Sequence, residues 1–190
     1  MVDIYQDLLT IGFKEISLPP DILDITNNFE KDRLLRELAD LHQFIVDYSN
    51  SSSTFPFGDF TTPIRRLFIP KLNTDDTCGL GFSTFSVIPN GDIFPCHRFC
   101  SVPESKLGNV LEEKPLQSVH IPETAGCREC WNPFPCPHGC KFHDYSINKK
   151  NTNWCIYSKK MTEICLSLCF ELPEHTLLNI LTLKRGQIYS

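Results

Sequence analysis

Cys127-Arg-Glu-Cys130-Trp-Asn-Pro-Phe-Pro-Cys136-Pro-His-Gly-Cys140 packs four thiols into one short stretch. A Cys-x2-Cys pair lets two thiolates reach one metal, or one edge of a cluster, from a single turn. The x5 and x3 spacings that follow are too irregular for one helix and indicate a loop wrapped around a metal centre. Outward from this stretch the pattern extends in both directions. Cys155 follows it, and Cys78-x12-Gly91-x4-Cys96 precedes it. Seven such thiolates are too many for one tetrahedral ion, so two centres are implied. Loops this poor in regular structure would draw much of their folding free energy from ligation. A pair of structural zinc sites uses the same ligand type and is the competing reading.

The other cysteines are Cys100, Cys165 and Cys169, which makes ten in 190 residues with none before Cys78. A disulfide scaffold is usually shorter, denser in cysteine and preceded by a secretion signal. Met1-Val-Asp-Ile-Tyr-Gln-Asp lacks the basic and apolar regions of such a signal. The expected location is therefore cytoplasmic, with reduced thiols. Hydrophobic residues at 41% and charged residues at 22% allow a folded core. No apolar run is long enough to span a membrane. With a net charge of −5 and no Lys/Arg cluster beyond a pair, the chain lacks the electrostatic footprint of a nucleic-acid binder.

The expected fold class is α+β, in three parts. Residues 1–70 read as helix–strand–helix plus a linker. Ile4, Leu8 and Leu9 mark a helix stopped by Gly12, and residues 13–18 read as a strand ended by Pro19-Pro20. Leu34, Leu35, Leu38, Leu41, Ile45 and Tyr48 form one helical stripe between Glu30 and Tyr48. Asn50–Thr54 with Pro56, Gly58 and Pro63 has turn chemistry and reads as the linker. Residues 71–160 form a cysteine-rich region. In it Ser83–Ile88 and Asp92–Pro95 flank Asn90-Gly91, a hairpin signal that folds the chain back and would carry Cys96 toward Cys78. Residues 161–190 form a helical tail, the first helix beginning near Cys155 and a second spanning about Glu174–Leu183.

The seven-cysteine spacing with its glycine resembles the SPASM domain, the auxiliary iron–sulfur extension of radical S-adenosylmethionine enzymes. The match covers Cys78 to Cys155 and meets every spacing. Val87-Ile-Pro-Asn-Gly-Asp-Ile-Phe-Pro-Cys-His-Arg-Phe99 and Leu107-Gly-Asn-Val110 are similar to the hairpin of peptide-maturing members. Cys127-Arg-Glu-Cys-Trp131 is similar to the second ligand cluster of thioether-forming ones. The resemblance implies two auxiliary 4Fe–4S clusters with interleaved ligands. Cys78, Cys96 and Cys140 would hold the first, and Cys127, Cys130, Cys136 and Cys155 the second. The first cluster's fourth ligand varies in the family between another cysteine and an open iron. Cys100, outside the motif and four residues past Cys96, is a candidate, with an unused thiol as the alternative. Residues 1–70 would be the remnant of a partial (β/α) barrel. The resemblance further implies a peptide or protein substrate and a ferredoxin or flavodoxin as reductant.

One departure limits that resemblance. The catalytic cluster of such enzymes is bound by C-x3-C-x2-C, and each of the three C-x3-C pairs here fails at the third position. Pro103, His143 and Leu172 stand where the cysteine should be. The chain is therefore expected to be the carboxy-terminal portion of a longer enzyme, with S-adenosylmethionine bound only at full length and no radical activity by itself. Cys165 and Cys169, about one helical turn apart, read as buried small apolar residues. His97 and His138 neighbour ligands but read more simply as loop histidines. Trp131, Phe134 and Trp154 would exclude water around clusters, although plain packing accounts for them equally well. The P-loop, zinc-protease and nucleophile-elbow motifs are missing.

Overall fold

The computed structural model describes residues 1–21, 27–69, 79–81, 83–117, 129–132, 136, 140–146 and 152–182. The chain is α+β, and its described residues form helices and one three-stranded antiparallel sheet. They divide into two units. One is drawn from Met1–Asn73, Trp131–Cys136 and Thr152–Ser190, the other from Thr74–Cys130 and Pro137–Asn151.

The first unit is helical. Helix α1 (Val2–Ile11) ends at Gly12, whose φ of +103° is a left-handed conformation that glycine adopts without a Cβ clash. Its amide closes on the carbonyls of Leu8 and Leu9 at 3.2 and 3.0 Å. Helix α2 (Asn28–Ser51) starts at Asn27, whose side-chain oxygen accepts the Glu30 amide at 2.9 Å. Leu34, Leu38, Leu41 and Ile45 are its buried stripe, as the 3.6-residue period dictates. On α1 the spacing identifies the helix but not its inner face. Tyr5 is the buried residue, and Ile4 is 53% exposed.

Two expectations for this unit are corrected. Residues 13–18 do not form a strand. They make a single parallel bridge, Ile16 to Phe57, with the Ile16 amide bonded to the Pro56 carbonyl and the Gly58 amide to the Ile16 carbonyl. Pairing stops there because the partner segment turns at once into helix and the Leu18 amide is captured by the Asp59 carboxylate. The supposed linker likewise contains a helix, α3 (Gly58–Phe68), with Pro63 inside it. Proline removes one intrahelical bond at that point. Burial of Phe60 and Ile64, together with the contacts of α3 with helices α5 (Thr152–Glu171) and α6 (Glu174–Thr182), offsets the loss. Helix α5 also packs on α2, so the core of this unit joins Tyr5, Leu38, Leu41, Ile45, Phe57 and Ile64 to Ile164, Cys165, Leu168 and Ile180.

Asp59 ties α1, the bridge segment and α3 together. Its carboxylate accepts the Tyr5 hydroxyl at 3.2 Å and the Leu18 amide, beside a cavity lined by Leu38, Phe60, Tyr157 and Met161. Burial raises this carboxyl above its ordinary value, only partly offset by hydrogen bonds from Leu18, Tyr5 and Ser17. A carboxyl whose folded pKa is raised stabilises most when protonated, and that contribution is lost as pH rises through the folded value. Asp59→Asn is therefore expected to gain thermal stability relative to wild type as pH is raised from about 4, the ordinary value of the group. Melting curves keeping a constant separation above that value would contradict it.

The second unit holds the sheet: β1 (Ser86–Val87), β2 (Asp92–Phe94) and β3 (Gly108–Asn109), in that order. Ser86 pairs with Phe94 and Asp92 with Asn109. The turn differs in kind from a two-residue Asn-Gly turn. Ile88 donates to the Asp92 carbonyl at 3.1 Å and accepts from the Gly91 amide at 2.8 Å, so Pro89-Asn90-Gly91 is a three-residue loop. Only Gly91 need be left-handed there, at φ +87°. A Cβ on Gly91 would lie 2.8 Å from Asn109 Oδ1. Gly91→Ala should therefore cost about 1–2 kcal/mol from the left-handed backbone alone, read as a lowered denaturation midpoint. An unchanged midpoint would contradict the turn assignment. Asp92 fastens the loop to β3. Its carboxylate receives Lys106 Nζ, Asn109 Nδ2 at 2.8 Å and Asn90 Nδ2 at 2.9 Å, and Lys106 foremost holds it below the usual carboxylate range. Among the described residues no helix is long and apolar enough to cross a membrane.

Candidate metal centre

The hairpin delivers Cys96. Strand β2 ends at Phe94, Pro95 follows, and Cys96 sits in extended backbone just before a 3-10 turn over His97–Ser101. Phe99 is the buried residue of that turn, and its amide bonds back to the Cys96 carbonyl at 3.0 Å. Cys100, half-buried, directs its sulfur toward the same carbonyl at 3.8 Å. The segment just past position 78 also closes on this corner, because the Gly81 amide reaches the Pro95 carbonyl at 3.2 Å. Cys78 itself lies outside the described residues.

Cys140 enters the same unit at the head of helix α4 (Lys141–Ser146). Phe99 stacks edge-on against Phe142 and Tyr145 of that helix, with ring centroids 5.2 and 5.4 Å apart. Tyr145 also donates to Glu104 Oε1 at 3.0 Å, on the short turn after the Cys96–Cys100 segment. The turn bearing Cys96 and Cys100 is thus pinned to the helix that Cys140 introduces. Lys141–Ser146 gave no helical signal beyond Phe142 and Tyr145 three positions apart, which could have indicated one apolar face.

In the other unit, Asn132 plays the equivalent part. It is 2% exposed, and its side chain lies against α5. Thr162 donates to Asn132 Oδ1 at 2.9 Å, and Asn132 Nδ2 donates to Ser158 Oγ at 3.4 Å. Asn132 is thereby fixed to the helix that carries Cys155. Sequence reading passed over Asn132; an amide directly after Cys-x2-Cys-Trp gives no signal without its partners one turn apart on α5. Asn132→Ala should cost about 1–3 kcal/mol, because the buried Ser158 hydroxyl loses its Asn132 donor and Thr162 is left with the Ser158 carbonyl alone, at 3.0 Å. A melting temperature equal to wild type would show that the contact is idle.

Cys96, Cys130, Cys136, Cys140 and Cys155 are all half-buried and free of disulfides, and Cys127 lies outside the described residues. Among the described residues no three or more His, Cys, Asp or Glu side chains close on one point as a metal site. Half-buried soft thiols, rather than carboxylates or imidazoles, are the donor type that structural zinc and iron–sulfur clusters share. Cys165 stands apart, with no exposure, in the apolar core, its thiol pushed up by burial. Cys169 is half-buried and donates to the Cys165 carbonyl at 3.0 Å. His97 is exposed, and His138 and Phe134 lie outside the described residues. The two tryptophans differ. Trp131 is 56% exposed, while Trp154 packs against the core with its ring 5.5 Å from Tyr157.

No family model matches the chain, and no curated protein shows significant similarity to it.

Proposed function

We propose that this chain is the auxiliary iron–sulfur portion of a radical S-adenosylmethionine enzyme that modifies a ribosomally made peptide or protein. Cys78, Cys96 and Cys140 would hold one 4Fe–4S cluster, and Cys127, Cys130, Cys136 and Cys155 the other. The clusters supply one-electron redox capacity and Lewis-acidic iron; the protein supplies the thiols, their spacing and their burial. The seven-cysteine spacing is the single observation that carries this reading. One structural contact supports the first of these sets: Phe99 joins the Cys96 turn to the Cys140 helix. The single parallel bridge of Ile16 and Phe57 is all the β pairing the described part of residues 1–70 offers to a barrel remnant.

The chain itself has no C-x3-C-x2-C, so cleavage of S-adenosylmethionine belongs to a cluster bound by other residues. Anaerobic incubation with dithionite and the cofactor should yield no 5′-deoxyadenosine above a protein-free control. A zinc-stabilised interaction module is the second reading, favoured by nothing beyond the shared thiol ligands. Colour separates the two. Anaerobically purified protein should be brown, absorb broadly near ~400 nm and release acid-labile sulfide. Colourless protein carrying zinc would overturn the proposal.

A further inference from the structure

We propose that Asn90 is a site of spontaneous deamidation, held slow by the loop it occupies, and that its conversion to isoaspartate unfastens the hairpin leading to Cys96. The reaction needs only water. The Gly91 amide nitrogen gives up its proton to solvent and attacks Asn90 Cγ. The bond from Cγ to the side-chain nitrogen breaks and ammonia leaves, which closes a cyclic imide. Water then opens the imide at either carbonyl, leaving aspartate or, where the main chain now runs through Cγ, isoaspartate. One water is consumed, one ammonia is released, and nothing is oxidised or reduced.

Asn90 is exposed and precedes a residue without a Cβ, so no side chain at position 91 shields the attacking nitrogen. The folded loop withholds that nitrogen. Gly91 is buried, and its amide donates to the Ile88 carbonyl at 2.8 Å. Closing the imide turns the Asn90–Gly91 peptide about the Asn90 Cα–C bond, which breaks that hydrogen bond. The same peptide is held on its other side, where Asn109 Nδ2 donates to the Asn90 carbonyl at 3.1 Å. The Val110 amide fixes the next carbonyl, that of Gly91, at 2.9 Å. The side chain is tethered as well. Asn90 Oδ1 accepts the Asp92 amide at 3.1 Å, and Asn90 Nδ2 donates to Asp92 Oδ2 at 2.9 Å. Conversion undoes this fastening. Isoaspartate adds a methylene to the main chain of a short loop, removes the donor to Asp92 and sets a second carboxylate beside it, with Lys106 as the cation they would share.

The test incubates the full chain in mildly alkaline buffer, folded or in guanidinium chloride, and follows the segment around Asn90 by peptide mass and isoaspartate assay. The unfolded chain should gain acid at Asn90 steadily. The folded chain should do so at least about tenfold more slowly, a factor that one or two net hydrogen bonds supply. Asn109→Ala, which frees the Asn90 carbonyl, should narrow that gap. Asn90→Gln, whose longer side chain does not close the same ring readily, should gain no acid there in either state. The wild-type comparison decides even where a variant folds poorly. Chain aged to isoaspartate should denature at a lower midpoint than fresh chain. Equal rates in the folded and unfolded chain would overturn the restraint, and no conversion in guanidinium chloride would overturn the site. An unchanged midpoint after ageing would overturn the link to the hairpin.

Discussion

Cys130→Ser should lose about half of the bound iron and unfold at a markedly lower temperature, because one of the two proposed clusters would be lost and ligation is coupled to folding. Cys165→Ala and Cys169→Ala should keep all of it. The difference follows from where the thiols sit. Cys130 is half-buried beside Trp131, which is itself mostly in solvent, on a segment without regular structure. Cys165 is enclosed between α5 and its neighbours, where burial first and Cys169 second hold it as the neutral thiol. A metal takes the thiolate, so the same burial that makes Cys165 good packing makes it a poor ligand. Iron and sulfide assays on the three variants decide the matter. Equal iron loss from the Cys130 and Cys165 variants would show that ligands and core residues have been confused.

The second large effect lies far from the thiols. Phe57→Ala should destabilise the helical unit by about 3–5 kcal/mol, as truncation of a fully enclosed aromatic does. Phe57 has no exposure and is the hub of an aromatic cluster. Tyr5 of α1, Phe44 and Tyr48 of α2, and Phe55 all lie with ring centroids between 5.2 and 5.9 Å from it. Its backbone also makes the bridge to Ile16. Removing the ring withdraws support from two helices and one loop together. Chemical denaturation followed by far-ultraviolet circular dichroism measures the loss, and a change under about 1 kcal/mol would mean the cluster is not the keystone of this unit.

Periodic burial was legible in the sequence, and local exceptions were not. The stripe from Leu34 to Ile45 placed α2, because a helix that buries one face must repeat its apolar residues. Asn90-Gly91 placed the hairpin but not its loop length, which is set by where Ile88 and Asp92 pair. Helix α3 was hidden by Gly58 and Pro63, residues that signal turns until Phe60 and Ile64 are seen buried on its inner face. The strand expected at residues 13–18 failed for the opposite reason: Ile16 is buried and Leu18 half-buried on either side of exposed Ser17, but the partner offered only Phe57 before turning into helix. At the candidate metal centre the spacing of cysteines is readable, because residue identity is written in the chain. The side-chain contacts beside them, Phe99 against Phe142 and Asn132 against Thr162, are not, since each contact joins residues that are at least thirty positions apart.

The central claim is that this cysteine set holds two cubane iron–sulfur clusters. Mössbauer spectroscopy of anaerobic protein, reconstituted with enriched iron and sulfide, tests it most directly. The account predicts about eight irons per chain, all in spectra of valence-delocalised 4Fe–4S centres, collapsing to about half in Cys130→Ser. Iron found only as isolated mononuclear ions, or a chain that retains zinc and refuses iron, would contradict it.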